Sequence, residues 1–250
     1  MSWRCSGADN LELIRNLCRN RIIKSKAVEN AMLNVDRKYY ASRKPYEDSP
    51  QSIGFNATIS APHMHAYALE WIHEALGSSD GTSRRPRKVL DVGCGSGYLS
   101  ACLSKMGYNV FGIDHIQGLV ELSRKNLSDE NPDYENSVKI LLRDGFKGLE
   151  EEAPFDAIRT YSFFFPSNPQ RQQQHTHTHT HSDVGAAAPT LPDTLVKQLR
   201  PGGRMIIPVG TEKQQIYAID KASDGNVTSR PLLGVRYIPL TTPEKQLRGV

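Results

Sequence analysis

Apolar residues at Leu11, Ile14, Leu17 and Cys18 recur three and four apart, the spacing of one face of a helix about ten residues long. Asp9-Asn10-Leu11-Glu12 has the form of a capping box at its start. Ser25 can cap a second helix whose inner positions are Val28, Met32 and Val35. The polar, proline-containing run DRKYYASRKPYEDSPQ then reads as irregular structure. In SAPHMHAYALEWIHEAL the helical spacing returns: Ser60 stands as N-cap, Pro62 occupies the first turn where its missing N–H costs nothing, and Leu69, Ile72 and Leu76 face inward. Gly77 can end this helix.

Beyond the loop GSSDGTSRRPRK the period alternates. KVLDVGCGSG reads as a buried strand entering a glycine-rich turn, and Leu99–Met106 and Ile116–Leu127 read as helices. Val110–Ile113, Val138–Leu142 and Phe155–Ile158 read as strands. This βαβα series predicts an α/β fold, a doubly wound and mostly parallel sheet behind an N-terminal helical segment, with ligands beyond the carboxyl ends of the strands. Leu191, Leu195 and Leu199 mark a further helix stopped by Pro201-Gly202-Gly203. Met205–Val209 and Gln215–Asp220 are strand-like, Asp224-Gly225 is a turn, and VRYIPL is a candidate last strand.

At 250 residues the chain suits one large α/β domain, 1–250. Its 31 basic and 27 acidic side chains give a net charge of +4 without a basic block, so no nucleic-acid partner is expected. Four cysteines, at 5, 18, 94 and 102, form no CxxC pair and read as reduced thiols. There is no apolar run long enough to span a bilayer and no apolar secretion signal at the start, so a cytoplasmic protein without membrane association is expected.

Glycines directly after a strand let backbone N–H groups approach a ligand that a Cβ would exclude. In LDVGCGSG, Tyr98 follows Gly93, Gly95 and Gly97 at the place of the third glycine of a dinucleotide fingerprint. No lysine follows as in a phosphate-binding loop. Asp91, Asp114 in GIDH and Asp144 in RDG stand at three successive strand ends. Acceptor-only carboxylates there suit ribose hydroxyls and an adenine amine. Together they describe an adenosine without phosphates, and S-adenosylmethionine fits. Each aspartate taken singly reads more readily as a helix cap or turn former, and it is the three together beside a glycine turn that point to a ligand. His63 and His65 lack a third ligand, so no metal is expected, and Cys94 reads as a small space-filler.

The segment DSPQSIGFNATISAPHMHAYALE, with LDVGCGSG, GIDH, RDG, VGAAAP, PGGRMIIPVG and PLLGVRYIPLT, resembles the protein-L-isoaspartate (D-aspartate) O-methyltransferases over nearly the whole chain. The resemblance implies a Rossmann-like, class I methyltransferase acting on damaged proteins and peptides that carry isoaspartyl or D-aspartyl residues, with S-adenosyl-L-methionine as cofactor, as a monomer. It implies Ser60 as the active-site hydroxyl, and Ala57, Thr58, Ile59 and His65 beside the cofactor and peptide. By the same match Asp91, Gly93, Gly95, Gly97, Asp114, His115, Asp144 and Gly145 form the adenosine site, and Thr241 and Gln246 a closing C-terminal segment. Methyl transfer to a different acceptor, and cofactor binding without transfer, stand as alternatives.

One stretch departs from that pattern. In the family one residue separates DAI from VGAAAP, whereas here Arg159–Asp183 intervene, with FFF, QRQQQ and alternating His and Thr from His175 to His181. Such biased composition has no packing periodicity, so disorder is expected. Alternating His-Thr is also what a CA dinucleotide repeat encodes, which points to translated non-coding sequence. A metal-binding histidine tract is the rival reading. Because the segment leaves a strand end at the ligand rim, folding and cofactor binding should survive while transfer is reduced or lost.

Overall fold

The computed structural model describes residues 5–77, 85–160, 191–210 and 214–235. The chain opens with helices α1 (Asn10–Arg19) and α2 (Lys26–Leu33), then a hairpin of β1 (Gln51–Gly54) and β2 (Ala57–Ile59), and helix α3 (Pro62–Leu76). The alternating part runs β3 (Lys88–Val92), α4 (Tyr98–Lys105), β4 (Asn109–Asp114), α5 (Gln117–Glu130), β5 (Val138–Leu142) and β6 (Phe155–Thr160). It ends with α6 (Asp193–Gln198), β7 (Leu199–Val209), β8 (Gln214–Lys221) and β9 (Val227–Val235).

Seven strands form the main sheet in the order β5-β4-β3-β6-β7-β8-β9. The pairs from β5 to β7 are parallel, and β7, β8 and β9 close the sheet antiparallel. The chain lays down β3, β4 and β5 in one direction and then returns to place β6 on the other side of β3. That reversal opens a crevice at the carboxyl ends of β3 and β6, where ligands of such sheets bind.

Strand alternation explains the two cores. Val89, Val110 and Ala157 face the layer built from α1 to α5, whereas Leu90, Phe111, Ile158 and Met205 face a second cluster with Leu195 and Leu199. Both faces are covered, so the parallel strands are almost continuously apolar. Asp91 points with Val89 into the helical layer, toward α4.

Several elements differ from the sequence reading. In α1, Leu13 is buried with Ile14 and Leu17, while Leu11 is 44% exposed. The Asp9 cap forms to the Glu12 N–H, but the Glu12 carboxylate accepts from the Ala8 N–H, one residue before the place a capping box assigns it. Leu199 opens β7 instead of extending α6, because pairing with Phe155 places it in the sheet core. The stretch expected to be irregular runs directly into β1, whose turn to β2 holds Phe55 and Asn56 at φ 52° and 53°. A two-residue hairpin with both φ values positive has the right-handed twist of its strands. The last described strand runs over Val227–Val235, and 236–240 of the candidate strand VRYIPL fall outside the described residues.

Arg159 and Thr160, counted above with the intervening stretch, are the last residues of β6. They pair with Asp91 and Val92, and both are buried. The expectation of disorder is therefore corrected at these two residues; 161–183 lie outside the described ones.

Candidate functional site

The crevice is walled on one side by the hairpin and the start of α3. Thr58, Ile59, Ser60 and His65 line it there. The opposite wall is the turn Gly93–Ser96 with Tyr98 and Leu99 of α4, and Arg159 at the end of β6 contributes the floor.

The sequence placed Ser60 as N-cap of α3, and the structure corrects this. The N-cap is Ala61, without a side-chain cap. The cap is supplied from outside the helix by Asp48, whose Oδ1 accepts from the His63 N–H (3.0 Å) and lies 2.8 Å from His63 Nδ1. With the helix end satisfied from a distance, the Ser60 hydroxyl forms no hydrogen bond among the described residues, although Ser60 is only 4% exposed. Ser96 Oγ is likewise buried without a partner among the described residues. A buried polar atom left unpaired costs free energy, so such atoms grouped on one cavity point to a ligand that pairs them.

Behind this wall sits Arg37, fully buried. Its Nη2 donates to the Ser60 carbonyl at 2.6 Å, its Nη1 lies 3.1 Å from His65 Nδ1, and its guanidinium carbon is 5.1 Å from the Tyr98 ring centroid. Burial lowers the Arg37 pKa to about 10, which leaves the group charged at neutral pH. Burial first, then the charges of Arg37, Arg159 and His63, hold His65 well below its ordinary pKa, so its ring is neutral.

The glycine turn is braced by β4. The Gly93 and Cys94 N–H groups donate to the Ile113 carbonyl at 2.8 and 3.1 Å, and the Gly95 N–H donates to Asp114 Oδ2 at 3.2 Å. Gly95 adopts φ 57° and Gly97 φ 91°, the left-handed region. A Cβ on Gly97 would lie 2.6 Å from Ser123 Oγ. Burial raises the Asp114 carboxyl above its ordinary pKa, opposed mainly by the Ile116 N–H that its Oδ1 accepts. Cys94 is buried and its thiol is pushed well up by burial, as suits a space-filler.

Of the residues expected at the site, Thr58, Ile59, Ser60, His65, Gly93 and Gly95 share the one cavity. Ala57 packs beside it against Ile116 and Leu119. Gly97 caps α4. Asp91 does not reach the cavity: it is fully buried, with Oδ2 accepting from Ser100 Oγ (2.7 Å) and Oδ1 paired with Arg159 Nη1 (3.0 Å). Asp114 touches the turn, and His115 follows it at the end of β4. Asp144 is exposed after β5, and Gly145 packs against Val92, where an added Cβ would lie 2.8 Å from Cγ1. Thr241 and Gln246 lie outside the described residues. Arg37, Asp48, Ser96 and Arg159 were not foreseen. Ser96 carried a signal in its place inside the glycine motif, and Asp48 in opening the segment that bears the family resemblance. No group of three or more potential metal ligands occurs among the described residues.

The model of the protein-L-isoaspartate(D-aspartate) O-methyltransferase family matches residues 8–170 and 179–245. The chain is 41% identical over 253 residues to the protein-L-isoaspartate O-methyltransferase of Caenorhabditis elegans, covering 98% of each chain. It is 40% identical to enzyme 1 of that name from Arabidopsis thaliana, covering 96% of this chain and 94% of the relative. Among solved structures, a protein-L-isoaspartate O-methyltransferase from Plasmodium falciparum in complex with S-adenosyl-L-homocysteine superposes with a TM-score of 0.74 at 31% identity, covering 94% of this chain and 99% of that one. With this similarity along nearly its full length, and with a glycine turn facing unpartnered polar groups at the reversal of a parallel sheet, the chain belongs to the protein-L-isoaspartate(D-aspartate) O-methyltransferase family.

Proposed function

We propose that this chain transfers a methyl group from S-adenosyl-L-methionine to the free carboxylate of L-isoaspartyl and D-aspartyl residues in damaged proteins. The observation that carries the reading is the Ser60 hydroxyl, without a hydrogen-bond partner among the described residues and facing the glycine turn across one cavity, in a chain of this family. When bound, the cofactor supplies an electrophilic methyl carbon on a sulfonium. The turn suits it: Gly95 admits close approach, and the buried Ser96 hydroxyl lacks a partner that a ligand can provide. Gly93, Gly95 and Ser96, with Asp114, His115, Asp144 and Gly145 at the next strand ends, would hold its nucleoside. Ala57, Thr58, Ile59 and His65 form the opposing wall, and Thr241 and Gln246 are proposed to close the site. Asp91 serves this site from beneath, by fixing Arg159 and Ser100.

A carboxyl group with a pKa near 4 is already ionised at neutral pH, so the chain need not remove a proton. Its task is alignment within about 3 Å and exclusion of water. Ser60 donates a hydrogen bond to the carboxylate and orients it without neutralising it. The buried cation Arg37 favours an anion nearby.

We read 1–250 as one methyltransferase domain, acting as a cytoplasmic monomer on proteins and peptides, without nucleic acid or membrane. No described helix is long and apolar enough to cross a membrane. Thr160 ends β6 beside Arg159, which lines the cavity, and we propose that 161–183, which follow in the chain, lower turnover. The test is methylation of an isoaspartyl peptide and of its normal aspartyl counterpart, by the full chain and by a variant lacking 160–183. That deletion keeps Arg159 as the single residue before Val184. Methylation of the isoaspartyl peptide alone, faster in the deletion variant, is expected. Equal rates in both proteins would remove the role given to the intervening residues, and no methylation by either would remove the function.

A further inference from the structure

We propose that Arg37 is a positioning residue of the transfer site: it holds His65 in the Nε2–H tautomer and, through that ring, presents a fixed donor to a carboxylate in the cavity. A guanidinium only donates. The 3.1 Å contact between Arg37 Nη1 and His65 Nδ1 therefore makes Nδ1 the acceptor and leaves the ring proton on Nε2. That nitrogen lies on the far side of a ring lining the cavity, and it has no hydrogen-bond partner among the described residues. Packing fixes the ring further, with Tyr98 at a centroid distance of 5.0 Å and Arg37 over the same tyrosine.

Arg37 is an unusual buried cation. It is fully buried, yet among the described residues its partners are the Ser60 carbonyl, the His65 ring and the Tyr98 face, none of them a carboxylate. A buried charge without a counter-charge is costly unless something supplies one. An anion in the cavity does so, and the imidazole polarised by Arg37 is the group that reaches it. By holding the Ser60 carbonyl at 2.6 Å as well, the same guanidinium ties the serine loop to the histidine, so that two donors approach one ligand from a common base. Carboxylates reach this cavity from two sources, the amino-acid end of the cofactor and the damaged residue itself.

The proposal rests on the methyltransferase reading of the site, and its first test does not require turnover. In ¹⁵N-labelled full-length protein, long-range ¹H–¹⁵N spectra assign His65 by its absence in His65→Asn. A protonated Nε2 with a bare Nδ1 from pH 6 to 8 is expected, and a protonated Nδ1 overturns the proposal even if no variant folds. Arg37→Met should lose the tautomer preference and Arg37→Lys, which can still donate, should recover it. Calorimetry with S-adenosylhomocysteine, and with an isoaspartyl peptide in its presence, should show about tenfold weaker binding of one of them in Arg37→Met, the scale of one hydrogen bond to a charged group. Weakening for S-adenosylhomocysteine assigns the cofactor's carboxylate, and weakening for the peptide assigns the substrate's. A folded Arg37→Met with both affinities unchanged overturns the proposal. If the wild-type chain binds neither probe, the functional reading fails, and the tautomer still decides the role of Arg37.

Discussion

An unpaired polar atom in a protein interior costs about 1 to 3 kcal/mol, which gives Ser60, Ser96 and Asp91 quite different meanings. Ser60 and Ser96 hydroxyls have no partner among the described residues and face the cavity, whereas both oxygens of Asp91 are engaged by Ser100 and Arg159. Ser60→Ala should therefore leave urea stability within about 0.5 kcal/mol of the parent. Its kcat/KM on an isoaspartyl peptide should fall at least about tenfold, the loss of one hydrogen bond to a charged acceptor. Asp91→Asn should do the reverse of a binding-site change. It takes the negative charge out of a buried pair with Arg159, a loss of stability measurable by chemical denaturation. The motif around Asp91 was legible in the sequence, but its direction was not. Strand alternation sends that side chain beneath the turn, and only the neighbours brought there by folding show what it pairs with.

Helix α3 shows how an element can be capped by a residue remote in sequence. Asp48, 15 positions before His63, accepts the His63 N–H at the helix start. Asp48→Ala should cost about 1 to 2 kcal/mol, the range of a lost N-cap, and thermal melts compared with Ser60→Ala would show which residue holds the helix. Equal losses would contradict the assignment. The glycine turn is an element of the same kind: Gly97→Ala places a Cβ 2.6 Å from Ser123 Oγ at φ 91°. We expect a loss of about 1 to 3 kcal/mol, the scale of backbone strain at such positions, together with weaker S-adenosylhomocysteine binding in calorimetry. The periodic helices and parallel strands were readable because each repeats a pattern over many residues. The β1–β2 hairpin was not, since its four-residue and three-residue strands are too short to show a period and its turn lacks the glycine that marks such hairpins.

For the molecule as a whole, the buried neutral His65 ties stability to pH. Its folded pKa lies well below the ordinary 6.5, chiefly through burial, so below pH 6.5 the unfolded chain binds a proton that the folded chain refuses. Stability should fall as pH drops from about 6.5, and His65→Gln should flatten that slope in denaturation curves taken from pH 7.5 to 5. A second loss should come at lower pH from Asp156. Burial raises its pKa, but the Arg85 hydrogen bonds and the Lys88 N–H outweigh this and bring it below 3.8, so the stability it adds disappears as pH falls through the folded value. The sequence by itself determined the family, the βαβα order and the segments that meet at the cavity, Thr58–Ser60, His65 and the turn from Gly93 to Gly95, because those reside in local periodicity and in motifs whose spacing survives without coordinates. Tertiary structure alone decided which of the polar residues face a ligand and which face one another. Asp48 replaces Ser60 as cap, Arg159 neutralises Asp91, and Arg37 turns His65 toward the cavity through contacts between residues up to 68 positions apart. Hydrogen bonds between such distant residues obey no sequence period, so only the packed chain reveals them.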